Sequence, residues 1–418
     1  MDQVMAAWAD WMKPSAGLPT VQWSLLLALA AAAGHLLQRY SGLPKVVGYS
    51  IVGTLAGLAG FSGAAWPLQG VALFLLELGV SLVLFESGGR IALRWFRHNP
   101  MVLVQSLTEA LLTALAVYHV LRWLDVRANV AEGLALISIA ASPAVLTRVV
   151  LDARAAGAVT ERALTLSTLG AFYALTLVSA RAGTLHQEQT VLAATLYPAA
   201  VVLGVSFVVG ALLALALRSA LRFMSPTSEN TSILLISLIA AGTAIAAHFG
   251  GSAPLAALIG GLMLKQLNPK PWAWTRQFGT AASLLTMMMF VLVSVVAAKA
   301  DWNPAVAGLV GAVVFARFFA KVFGVTLANF GSGINWRQAM WTGCSMGPMS
   351  SIALLLVSQL MAASMTLGSR IASIALPVIL MMEILGAIVA TFAIYRAGEG
   401  IKPWVPQGGM AATGELRG

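Results

Sequence analysis

The sequence predicts an all-α polytopic membrane protein of about thirteen transmembrane helices, built as inverted six-helix repeats with two broken crossing helices. Three observations predict it. Hydrophobic residues make up 59% of the chain and charged residues only 10%, against about 25% charged in an ordinary soluble domain. The apolar residues fall into runs of about 20, the length that crosses a hydrocarbon layer roughly 30 Å thick. Ala141-Ser142-Pro143 and Met346-Gly347-Pro348 interrupt the fifth and twelfth runs near their middles. Proline lacks a backbone donor and clashes with the preceding turn, so each run unwinds near the bilayer centre. Interrupted helices at matching places in two halves of a chain point to a transporter's binding site.

The runs lie at 20–38, 43–61, 68–86, 100–124, 130–151, 160–183, 190–217, 230–249, 252–267, 273–298, 304–330, 336–361 and 369–395. Pro/Gly-rich or charged connectors such as Gly42-Leu43-Pro44-Lys45 and Asn268-Pro269-Lys270-Pro271 separate most of them. The ninth run is short and weak. Spans 1–6 and 8–13 form two six-span units joined by span 7. Passing from one unit to the other crosses an odd number of spans, so the units are oppositely oriented. Residues 1–19 read as an N-terminal interfacial segment anchored by Trp8 and Trp11, without the basic start and apolar centre of a cleaved signal. Residues 396–418 read as a short, Gly-rich cytoplasmic tail.

Charge gives the direction. With this span set, 17 Lys/Arg fall on the side of the C-terminal tail and six on the other, while Arg317 and Lys321 lie within a span. Basic loops stay in the cytoplasm, so the C-terminus is expected inside and the N-terminus outside a bacterial-type plasma (inner) membrane. The formal net charge of +10 is spread over these short loops, which argues for anionic lipid and against nucleic acid. A single cysteine, Cys344, excludes an internal disulfide and a thiolate metal cluster. His35, His119 and His248 are isolated in sequence, so no metal centre is expected. No phosphate-binding loop or catalytic triad appears, so neither an enzyme nor a cofactor is expected. The Met287-Met288-Met289 run with Phe290 reads as packing or lipid-facing surface. Gly53, Gly57 and Gly60 at small-xxx-small spacing read as a close helix contact.

Several motifs, taken in order, resemble the monovalent cation:proton antiporter superfamily of the sodium/hydrogen exchanger type. Gly42-Leu43-Pro44-Lys45-Val46-Val47-Gly48-Tyr49 opens span 2, and Leu82-Val83-Leu84-Phe85-Glu86-Ser87-Gly88 closes span 3. Arg94-Trp95-Phe96-Arg97-His98-Asn99-Pro100 follows, and Ala141-Ser142-Pro143-Ala144-Val145 breaks span 5. The resemblance covers residues 20–395 and implies a sodium/proton antiporter-like fold assembled as a homodimer. It implies a scaffold of 20–86 and 230–298, and a core of 100–183 and 304–395 that moves against it like an elevator. The implied partners are a monovalent cation and the proton.

One departure from the family stands out. The resemblance places an acidic residue on span 6, often Asn-Asp or Asp-Asp, but Gly170 and Ala171 occupy those positions. No acid occurs between Glu161 and Glu188. Lys321 on span 11 matches the family's mid-membrane lysine, and Arg317 lies one turn earlier on the same face. Either Lys321 itself carries the exchanged proton, or another acid completes the site; a purely structural lysine at the crossing is the plain alternative. Glu109 on span 4 and Glu383 on span 13 lie near mid-depth in the expected core and can each replace the lost carboxylate. A buried glutamate that only pairs with a neighbouring helix is the structural alternative for both. Glu77 belongs to the expected scaffold, and Glu86 has Arg90 four residues on, an interfacial ion pair. Ser142, Ser350, Ser351 and Tyr173 can coordinate an ion, or equally can satisfy backbone freed by the breaks at Pro143, Gly347 and Pro348.

Antiport of Na⁺ or K⁺ against protons is the function expected. A same-fold carrier of an organic anion is one alternative, since a lysine and two positive helix ends without an acid favour an anion. A transport-inactive membrane protein acting through a partner is the other. An acid from span 4 or 13 pointing at the crossing discriminates between the two transport readings.

Overall fold

A computed structural model describes residues 18–61, 63–185, 192–224, 228–268, 276–300 and 302–401. Residues 1–17 of the expected interfacial segment, the 269–275 stretch and residues 402–418 of the expected tail lie outside the described residues. The described chain is helical throughout, in the order α1 (Leu18–Ser41), α2 (Lys45–Leu58), α3 (Gly70–Arg90), α4 (Leu93–His98), α5 (Met101–Trp123), α6 (Ala128–Ile139), α7 (Pro143–Asp152) and α8 (Ala158–Thr184). There follow α9 (Leu192–Phe223), α10 (Glu229–His248), α11 (Ala253–Leu267), α12 (Arg276–Ala298), α13 (Pro304–Leu327), α14 (Trp336–Ser345), α15 (Ser351–Ala363) and α16 (Met365–Arg396). Among the described residues nine segments are long and apolar enough to cross a bilayer, with Ala128–Asp152 taken as one, and four more are shorter apolar helices. A helix lies at each of the thirteen expected places. The fifth and twelfth are split in two, as the Ser142-Pro143 and Gly347-Pro348 breakers require.

Local chemistry sets the helix starts. Asn303 accepts from the Val306 amide at 2.8 Å and Pro304, at the first turn, has no amide to satisfy, so two of the unpaired positions at the start of α13 are settled locally. Asn335 and Gln338 form a reciprocal capping box on α14. Glu399, just past α16, accepts from the Val159 and Thr160 amides at 2.8 and 2.7 Å and so caps α8 from a distance in sequence.

The helices sort into two bundles by what they pack against. In the first, α2 packs on α1 and α12, α3 on α11, and α9 on α11. In the second, α5 packs on α6 and α13, α14 on α13, and α15 on α16. A Cβ at Gly53 or Gly57 would fall 2.8 or 2.6 Å from a backbone oxygen of α12, so this spacing is a helix contact, as expected. Gly60 takes no part, because α2 ends at Leu58. The bundles meet along a seam where α16 touches α2 and α12, α7 touches α2 and α3, and α15 touches α3. At one end of that seam Asp152 of α7 accepts from the Lys45 amide of α2 at 2.8 Å.

Candidate functional site

The two breaks cross each other within the second bundle. The Ser142 amide donates to the Pro348 carbonyl at 3.0 Å, tying one unwound stretch to the other. Each stretch leaves carbonyls without helical partners, and inside a membrane water does not supply them. Arg317 supplies most of what is missing. Its guanidinium donates to the carbonyls of Ser138 at 3.0 Å, Ala140 at 2.7 Å, Gly347 at 2.5 Å and Pro348 at 3.5 Å. The Ser138 and Ala140 carbonyls end α6 and the Gly347 carbonyl lies just past the end of α14, beside helix ends that carry partial negative charge, so a cation is favoured there. An ammonium cannot match this fork. Arg317→Lys is therefore expected to lower stability by about 1–3 kcal/mol, read as thermal unfolding of the detergent-purified protein.

One turn further along α13, the Lys321 ammonium donates to the Ile139 carbonyl at 3.1 Å and forms an ion pair with Glu109 of α5, both side chains being fully buried. Thr113 donates to the same Glu109 oxygen at 3.1 Å. The close approach rests on Gly324, where a Cβ would stand 2.7 Å from Glu109 Cα. Gly170 of α8 packs on the Ile139 carbonyl, where a Cβ would lie at 3.2 Å. The position of the missing acid thus faces the crossing, and the lysine takes its carboxylate from α5 instead. Tyr173 accepts from Ser106 at 3.2 Å, one turn from Glu109.

Glu383 of α16 sits apart from these cations, at the seam. It is fully buried, and Ser50 of α2 donates to its Oε1 at 2.9 Å. Its Oε2 has no partner among the described residues, and neither do the hydroxyls of Ser350 and Ser351. Gly386, one turn beyond Glu383, packs on Pro348, and α15 begins at Ser351, so its positive end lies nearby. Gly386 makes this possible: a Cβ there would fall 2.6 Å from Pro348 Cα, so α16 runs hard against the second break. The serines therefore differ. Ser142 caps α7 through the Val145 amide at 3.4 Å, whereas Ser350 makes no such bond at the start of α15.

The sequence model of the transmembrane sodium/hydrogen exchanger matches residues 24–396. The chain belongs to the sodium/hydrogen exchanger family. Its members are transporters, not enzymes. No curated protein matches the chain. Among solved structures, the sodium proton antiporter MjNhaP1 from Methanocaldococcus jannaschii at pH 8 superposes with a TM-score of 0.66 at 16% identity, over 91% of this chain and 98% of that one. An electron-microscopy map of the same antiporter gives 0.60 at 19% identity, over 94% of both chains. That likeness is one of fold.

Within this exchanger fold, Glu86 and Arg90 pair at 2.6 Å on the surface, as their spacing suggested. Glu77 is half-buried on α3. Arg162, one of the 17 cations counted on the side of the C-terminal tail, is not a loop cation: it lies in α8, is only 4% exposed and donates to Gln105 at 2.9 Å and the Ser332 carbonyl at 2.8 Å. Ser50, Gly324 and Gly386 went unmarked in the sequence, although a glycine three residues beyond a mid-span acid or lysine is a readable sign of close helix packing at that level.

Proposed function

We propose that this exchanger swaps a monovalent cation, Na⁺ or K⁺, for a proton at Glu383, by moving the second bundle against α1–α3 and α10–α12. The observation that carries the reading is the environment of Glu383. It is a carboxylate buried at the seam with one oxygen unpartnered and no basic side chain bonded to it. Glu109 also has one oxygen without a partner among the described residues, but its other oxygen is held by Lys321, a basic partner that Glu383 lacks. A hard monovalent cation prefers oxygen ligands, and Glu383 with Ser350 and Ser351 offers them. An unbalanced charge at the centre of a membrane helix costs about 2.5–3.5 kcal/mol. Glu383 therefore crosses readily only when a proton or a cation neutralises it, which couples one flux to the other. With a single exchanging carboxylate and an ion pair that stays closed, each turnover moves one cation against one proton and no net charge.

The organic-anion reading loses ground, because Lys321 already faces a carboxylate and Arg317 faces four carbonyls. A homodimer with its C-terminus in the cytoplasm of a bacterial-type cell belongs to the same proposal. The test uses purified protein in proteoliposomes with a trapped pH dye and an imposed pH gradient. Addition of Na⁺ or K⁺ is expected to collapse the gradient at a rate indifferent to an imposed membrane potential. No response to Na⁺, K⁺ or Li⁺ from a folded protein would sink the proposal.

A further inference from the structure

The hydrogen bond that reaches Glu383 comes from the other bundle. Ser50 lies on α2 and Glu383 on α16, 333 residues apart in sequence and joined at 2.9 Å across the seam. Both are fully buried. A hydroxyl has one proton and two lone pairs, so Ser50 can donate to Oε1 and still present an oxygen to a cation resting on Oε2. From the second bundle, the Ser350 and Ser351 hydroxyls at the start of α15 have no partner among the described residues, the Glu383 carboxyl is itself half-satisfied, and α16 passes the break just before them where Gly386 packs on Pro348. A dry site with this many unspent polar atoms is costly unless something else is held there.

We infer that Ser50 is a positioning residue and ligand donated by the first bundle, so that the cation site is complete in only one of the carrier's two states. The inference rests on Glu383 being the exchanging carboxylate. Sliding the second bundle past α2 breaks the Ser50–Glu383 bond, while Ser350 and Ser351 travel with the acid. The cation is then held by both bundles on one face of the membrane and by the second bundle alone on the other. That difference gives the carrier unequal affinities on its two faces from a single side chain, without a second ion site.

The experiment measures exchange in proteoliposomes with Na⁺, and with K⁺ and Li⁺ in parallel, separately for each face of the oriented protein. Ser50→Ala is expected to raise KM for the cation about tenfold on one face, with maximal turnover and the KM on the opposite face within about twofold of the parent. Ser50→Thr, which keeps the hydroxyl, is expected to restore the parent KM. A merely structural serine would alter both faces alike or change turnover and melting together. An unchanged KM, or an equal rise on both faces, overturns the inference while Glu383→Gln remains inactive. Exchange that survives in Glu383→Gln, or that is absent from the parent protein, overturns the reading beneath it instead.

Discussion

Replacing Glu383 with glutamine is expected to abolish cation-driven proton movement and leave the protein folded. Glutamine keeps the shape and can still accept from Ser50, so the seam contact at 2.9 Å survives the change. What it loses is the ability to exchange a proton for a cation. The carboxylate's charge is what makes an unloaded crossing unfavourable, by about 2.5–3.5 kcal/mol on membrane-insertion scales, which corresponds to about a hundredfold in rate. Without that penalty the second bundle moves loaded or not, and coupling ends. The measurement is the initial rate of gradient collapse against melting temperature for parent, Glu383→Gln and Glu383→Asp. Aspartate retains the chemistry one methylene short and is expected to keep a reduced rate. Full coupled exchange in a folded glutamine variant would remove Glu383 from the mechanism.

The site divides into what a linear chain can announce and what only packing can. The breaks are legible because a Ser-Pro and a Gly-Pro stand near the middle of apolar runs at matching places in the two halves, whereas Pro198 and Pro377 sit inside unbroken helices. Arg317 and Lys321 are legible for a similar reason: two cations inside an otherwise apolar span must face something. Their partners are not legible. Lys321 meets an acid 212 residues away, and Arg317 meets carbonyls, which every residue possesses. Only Lys321 matches the family pattern, yet Arg317 is the residue that holds both breaks together. Ser50 is an ordinary serine in a glycine-rich span, and nothing local marks it. Its role depends on α16 lying against α2, a contact between segments more than 300 residues apart in sequence. The choice between Glu109 and Glu383 also needed packing, since both acids sit mid-span and only one has a lysine within reach.

The ion pair itself supplies the last expected result. Glu109→Leu leaves the Lys321 ammonium buried with a carbonyl as its remaining bonded partner, and Lys321→Met leaves the Glu109 carboxylate with Thr113. Each single change is expected to cost about 3–5 kcal/mol, the range found when one partner of a buried pair is removed. The double change removes both charges and fills the space with apolar atoms. It is expected to recover all but about 1–2 kcal/mol, the remainder being the bonds lost at Ile139 and Thr113. Thermal or denaturant unfolding of the four proteins gives the coupling energy directly. Transport in the same four proteins then decides what the pair is for. If Glu383 alone exchanges, the double variant carries cations as the parent does, since a closed pair adds no net charge to the moving bundle. If the double variant is stable but inactive, the pair opens during turnover and Lys321 takes part in proton exchange. Such opening moves an additional charge, and the rate then depends on voltage by up to about 2.3 kcal/mol per 100 mV. Rate against imposed potential therefore separates a pair that only holds α5 to α13 from one that works in the cycle.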